Sequence, residues 1–174
     1  IRWRVKNDPI VKIKHTNQLV TRIAGNFKFF CYSNLIDDTE HFALVKGNIV
    51  EEDEVLVRVQ KLNYISDLFQ GVLSKNNQNE NDVSINRIMR EMQNIKKGVI
   101  VIIKDNRGIF EWNKDKKEND NTDSQEFREY GVGAQILRDI GVRKMVLMTN
   151  SKKAIIGLQG FDLKIVGHKE LRNE

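Results

Sequence analysis

Cysteine is almost missing from this 174-residue chain: Cys31 stands alone. One thiol cannot close an internal disulfide, so a disulfide-stapled secreted fold is excluded and a reducing cytoplasm is the expected compartment. No histidine or acid stands in a recognisable arrangement with Cys31, which therefore reads as a small core residue and not as a nucleophile. Histidine is nearly as scarce, with His15, His41 and His168 scattered along the chain. Proline occurs once, as Pro9. No apolar run reaches the length that crosses a bilayer, and no signal-peptide pattern opens the chain, so no membrane partner is expected. A basic stripe interleaved with aromatics is absent, as are finger and helix-turn-helix signatures, so nucleic acid is not an expected partner either. The net charge of +5 then reads as a lysine-rich solvated surface that leaves an anionic ligand such as a nucleotide, or an acidic protein, open.

What is present fits a single globular domain with a real core, since 40% of the residues are hydrophobic and 30% charged. Residues 1–14 (IRWRVKNDPIVKIK) are basic, without a helical period, and read as a connector or an edge segment. Two strands around Gly25-Asn26 follow, then HFALVK (41–46) and VLVRV (55–59), so the first third is expected to be β-rich and antiparallel. A helical period runs through Ile85, Ile88, Met89 and Met92, with Lys96, Lys97 and Gly98 as its expected end. VIVII (99–103) reads as a strand covered on both faces. Residues 113–122 (NKDKKENDNT) read as a polar loop. Phe127, Tyr130, Ala134 and Leu137 then mark one face of a helix, with Asp123 as N-cap, Glu126 at its third position and Gly141 as terminator. Strands at 145–148 and 163–166 flank a short helix, Lys152 to Leu158, that Gly160 ends. The fold class expected is α/β: a β-rich N-terminal part, then β-α-β-α-β with right-handed crossovers in a mostly parallel sheet.

The run FREYGVGAQILRDIGVRKMVLMTN (127–150) resembles the helix–strand signature of GTP cyclohydrolase II, with weaker likeness at EHFALVKGNI (40–49) and KDNRGI (104–109). The likeness is to the C-terminal half of bifunctional proteins that join dihydroxybutanone phosphate synthase to the cyclohydrolase in riboflavin biosynthesis. It implies that residues 1–15 are a linker from an upstream synthase and that residues 16–174 form the cyclohydrolase-like domain, with a homodimer as the expected assembly. By the same resemblance, Arg128 matches the arginine nucleophile and Glu126 stands for its acidic proton acceptor. Arg58, Arg107, Thr149 and, out of register, Lys152 and Lys153 are candidates for binding GTP. Ala154 stands where a phosphate-binding lysine is expected.

The family's zinc is implied to sit on three thiolates with a water in the fourth position. Here the corresponding run Arg58-Val59-Gln60-Lys61-Leu62-Asn63 has Asn63 in place of the first cysteine, and SKNNQNEND (74–82) lacks the other two. No metal or other cofactor is therefore expected, and Glu80 with Asp82 reads as a solvated pair. Three readings stay open. One is a degenerate domain kept as a folding, dimerisation or regulatory partner of a synthase. Another is a working enzyme on GTP, either ring-opening or releasing pyrophosphate only. The last is an anion sensor without turnover. Each candidate also has a plain structural role: Glu126 as a cap, Arg128 as a surface ion pair, Arg107 as a turn residue, Thr149 and Asn150 as caps of the next helix.

Overall fold

The computed structural model describes residues 8–69, 83–105 and 122–171. Its strands are β1 (Val11–Thr21), β2 (Gly25–Asn34), β3 (Glu40–Lys46), β4 (Glu54–Lys61), β5 (Gly98–Ile103), β6 (Lys144–Met148) and β7 (Lys164–Lys169). The helices are α1 (Tyr64–Phe69), α2 (Ile85–Glu91), α3 (Thr122–Ile140) and α4 (Lys152–Leu158). All seven strands join one sheet in the order β1-β2-β3-β5-β4-β6-β7. The fold class is the α/β arrangement expected. β1, β2 and β3 form an antiparallel meander, β3 pairs antiparallel with β5, and β5, β4, β6 and β7 run parallel.

One strand is misplaced by the sequence pattern. VLVRV belongs to the parallel half, seated between β5 and β6, and not to the antiparallel first third. Its buried residues on both faces explain the seat: Val55 and Val57 enter one apolar cluster and Leu56 the other. A strand apolar on both sides is stabilised most in the middle of a sheet. The segment Val11 to Lys14 is the start of the edge strand β1.

The sheet separates two cores. On one face Val57, Val101 and Leu147 pack under Ala134, Ile136 and Leu137 of α3 and Leu158 of α4. On the other, Leu44, Ile100 and Met148 pack under Ile88 and Met92 at α2. β5 is buried at every position, as its unbroken apolar run requires. The second cluster also holds Phe27 from β2, which ties the meander to the parallel half.

Two helix ends differ from expectation. α3 begins at Thr122, so Asp123 lies inside its first turn instead of capping it. α2 stops at Glu91, well before Lys96 and Lys97. Its C-terminal carbonyls are satisfied from the sheet: Lys46 Nζ donates to the Met92 and Gln93 oxygens, both at 2.8 Å. Lys97 pairs instead with Asp53, at 2.6 Å. The other end of α3 is as expected: Gly141 has φ +103°, and the Gly141 and Val142 amides turn back to Arg138 and Leu137. Among the described residues no helix is long and apolar enough to cross a membrane. The polar stretch 113–121 and the Glu80/Asp82 pair lie outside the described residues.

Candidate functional site

The carboxyl ends of β4, β5 and β6 meet the first turns of α3 at one edge of the sheet, where open parallel sheets hold their ligands. β4 delivers two side chains there. Arg58 is buried, 8% exposed; its Nε donates to Gln60 Oε1 at 3.1 Å and its Nη1 to the Met148 carbonyl at 3.0 Å. Gln60 in turn donates from Nε2 to the Val83 carbonyl at 2.6 Å. Burial pushes the Arg58 guanidinium down to about 10, against a favourable influence of Tyr130. Lys61, on the opposite face of β4, lies between Asp105 at 3.1 Å and Glu129 at 2.9 Å.

β6 ends at Met148, and the turn after it is held from within. Thr149 is buried and its Oγ1 accepts the Ser151 amide at 3.0 Å. Asn150 bonds both the amide and the carbonyl of Leu171. Ser151 caps α4 by accepting the Ala154 amide, so the capping role expected of Thr149 and Asn150 falls to Ser151. Tyr130 of α3 reaches this turn: its hydroxyl hydrogen-bonds Ser151, and its ring packs on Gly157 of α4, where a Cβ would come within 2.5 Å of the ring. Burial first, then the nearby Glu126, holds the Tyr130 phenol above its usual range.

Of the candidates, Arg58 and Thr149 are brought together through Met148, and Glu126 faces Lys153 at 3.7 Å. Arg128 is exposed and, among the described residues, makes no ion pair. Lys152 is exposed, and Arg107 lies outside the described residues. Tyr130, Gln60, Lys61, Asp105 and Ser151 complete the edge and were missed. Tyr130 was hidden by its place on the apolar face of α3. Gln60 and Lys61 were visible as the first two of the four changed positions after Arg58-Val59.

Asn63 stands at the one zinc-cysteine position that falls among the described residues; the other two, in 74–82, lie outside them. Asn63 caps α1: its Oδ1 accepts the amides of Ile65 and Ser66 at 3.1 and 3.3 Å, and its own amide donates to Asp67 at 2.9 Å. Gln60 is occupied by Arg58 and Val83, and Lys61 by two carboxylates. Cys31 is buried on β2. Carboxamides and an ammonium are not zinc ligands of the kind that hold a catalytic site. Among the described residues no group of three histidine, cysteine or carboxylate side chains is placed to hold a metal. These residues do not fit zinc.

Comparisons with known proteins agree with this frame. The GTP cyclohydrolase II family profile matches residues 12–170. The chain is 36% identical over 176 residues to the monofunctional riboflavin biosynthesis protein RIBA 2, chloroplastic, of Arabidopsis thaliana, covering 96% of this chain and 35% of that protein. It is 35% identical over 165 residues to the riboflavin biosynthesis protein RibBA of Chlorobium phaeovibrioides, covering 86% of this chain and 39% of that protein. In structure it resembles RibBX, a two-domain 3,4-dihydroxy-2-butanone 4-phosphate synthase from A. baumannii, with a TM-score of 0.63 and 22% identity. That match covers 99% of this chain and 43% of RibBX. The chain thus spans little more than a third of the curated relatives it matches. Its sequence over nearly its whole length and its sheet agree on one assignment: the chain belongs to the GTP cyclohydrolase II family.

Proposed function

We propose that this is a GTP cyclohydrolase II-like domain of riboflavin biosynthesis that does not open the guanine ring of GTP and serves a dihydroxybutanone phosphate synthase as a structural, dimerising or regulatory partner. One observation carries the reading. Gln60, Lys61 and Asn63, which replace residues of the family's metal run, are each committed to bonds that hold the fold. A zinc-bound hydroxide is the device that attacks a ring carbon at neutral pH, and among the described residues no set is placed to hold one. The two-domain synthase RibBX, whose fold this chain shares over nearly half of that protein, supports the choice of partner. In this reading residues 1–15 lead from the synthase into the sheet, the chain works in the cytoplasm as a homodimer, and zinc is not its cofactor.

The test is formate release. The chain, alone and fused to a synthase, is incubated with GTP and added Zn²⁺. No formate above the enzyme-free blank is expected in either form, and zinc-dependent formate would overturn the reading. A second reading, a residual activity that binds GTP and releases pyrophosphate only, is favoured by the exposed Arg128, which makes no ion pair among the described residues. It requires pyrophosphate release that disappears in Arg128→Ala.

A further inference from the structure

Where β3 lies beside β5, the backbone ladder stops before β5 does, and a side chain takes over. Backbone pairing runs as far as Phe42 and Ile102. Beyond it the ring of His41 reaches across, and its Nδ1 accepts the Lys104 amide at 3.1 Å. On the other side of the same strand end, Leu62 donates its amide to the Ile103 carbonyl at 2.9 Å. The residue after Lys104, Asp105, pairs with Lys61, which also holds Glu129 of α3. His41 therefore fastens to β3 the strand end that carries this chain of ion pairs.

The chemistry of this fastening makes it conditional. A backbone amide can only donate, so Nδ1 presents its lone pair and the neutral ring carries its hydrogen on Nε2. A proton arriving on the ring goes to Nδ1 and takes the lone pair that holds Lys104. Charge on the ring and the bond to Lys104 are mutually exclusive. The ring is 4% exposed, and among the described residues Nε2 has no hydrogen-bond partner. Thr39, two residues earlier, keeps a second buried atom, Oγ1, without one. Buried polar atoms left unpaired are uncommon, and each calls for a physical reason. Burial, the largest influence, and Lys104 both disfavour charge on the ring, and Asp37 of the β2–β3 turn favours it. Across on β2 stands Tyr32, whose hydroxyl donates to Asp139 of α3, and on β3 itself Glu40 is held by Lys14. We propose that His41 is a pH-operated latch on the end of β5: the neutral ring holds the Lys104 amide, and the imidazolium releases it, loosening the strand end from β3 while the rest of the sheet stays paired. The trigger is acid, below the ordinary histidine value of about 6.5. The latch works whether or not the chain opens GTP.

The test is nuclear magnetic resonance of the whole nitrogen-labelled chain, titrated downward from neutral pH, with the His41 ring nitrogens and backbone amide exchange followed together. At neutral pH Nδ1 is expected to be unprotonated and Nε2 protonated. As the ring gains its proton, the Lys104 amide should lose protection at the same midpoint, by about tenfold after correction for the intrinsic pH dependence of exchange, the scale of one hydrogen bond. Val101, inside β5, should keep its protection. His41→Gln, which offers Lys104 an acceptor that cannot be charged, should hold that amide protected throughout the titration. Asp37→Asn should move the midpoint down and Lys104→Ala should move it up, since each removes a charge that acts on the ring.

A Lys104 amide still protected beside a fully charged ring would overturn the inference. So would an Nδ1 already protonated at neutral pH, or a ring that stays neutral until the whole sheet unfolds. Loss of protection at Lys104 and Val101 together would also overturn it, because that is global unfolding and not a latch. Should His41→Gln fail to fold, the other two variants still decide: a midpoint that neither Asp37→Asn nor Lys104→Ala moves would assign the titration to another group. None of these results touches the formate assay, which bears on the proposed function alone.

Discussion

At the scale of single residues, the positions that changed have acquired structural work. Asn63 caps α1 with its side-chain oxygen. Asn63→Ala should cost about 1 kcal/mol in urea unfolding, the usual worth of an N-cap. No loss would mean that α1 is held by other means. His41 offers a test of pH dependence. Its ring is buried, Nδ1 accepts the Lys104 amide at 3.1 Å, and Nε2 has no partner. Burial lowers its affinity for a proton, Lys104 lowers it further, and Asp37 opposes them. A histidine depressed in the fold binds fewer protons there than when unfolded, so its contribution is full above the unfolded value, about 6.5. That contribution is lost as the pH falls from there through the folded value. Stability measured from pH 7.5 to 5 should therefore decline below about 6.5, and His41→Gln, which keeps an acceptor for Lys104, should flatten the decline. An equal decline in the variant would assign the dependence elsewhere. Arg58 and Thr149 were legible in the sequence because they stand in runs that resemble a known family. Tyr130 was not, because a tyrosine at helical spacing among apolar residues looks like core, which it also is.

At the scale of elements, short sequences with strong apolar content were readable and ends were not. VIVII and HFALVK declare their strands through burial alone. α1 has six residues, too few for a period to show, and depends on Asn63 and Asp67. The end of α2 depends on Lys46, distant in sequence, which no local pattern contains. The seat of β4 between β5 and β6 is likewise a tertiary choice. The packing of α4 on α3 is specific enough to test. A Cβ at Gly157 would lie 2.5 Å and 2.8 Å from two ring carbons of Tyr130. Gly157→Ala should destabilise the chain by about 1–3 kcal/mol, as overpacking does, despite alanine's better helix propensity. If stability rose instead, Tyr130 would have to move freely, and its bond to Ser151 would not be a fixed part of the edge.

At the scale of the whole molecule, the proposed function separates fold from chemistry. The sheet, its two cores and the α3–β6 unit match the GTP cyclohydrolase II family across residues 12–170, while the residues in its metal run serve the scaffold. Such a division is physically coherent, because the core is stabilised by burial on both faces of the sheet and asks nothing of the edge. The sequence alone made the loss of thiolates legible. It did not show that the replacements are bonded into the fold, since those bonds run to Val83, Asp105 and Glu129 across elements. The central proposal, that the chain holds no catalytic zinc, is tested most directly by elemental mass spectrometry of the full chain after saturation with Zn²⁺ and dialysis. The account predicts far less than one zinc per chain and an unfolding temperature that a chelator leaves unchanged. One tightly held zinc per chain, with chelation lowering the unfolding temperature, would contradict it.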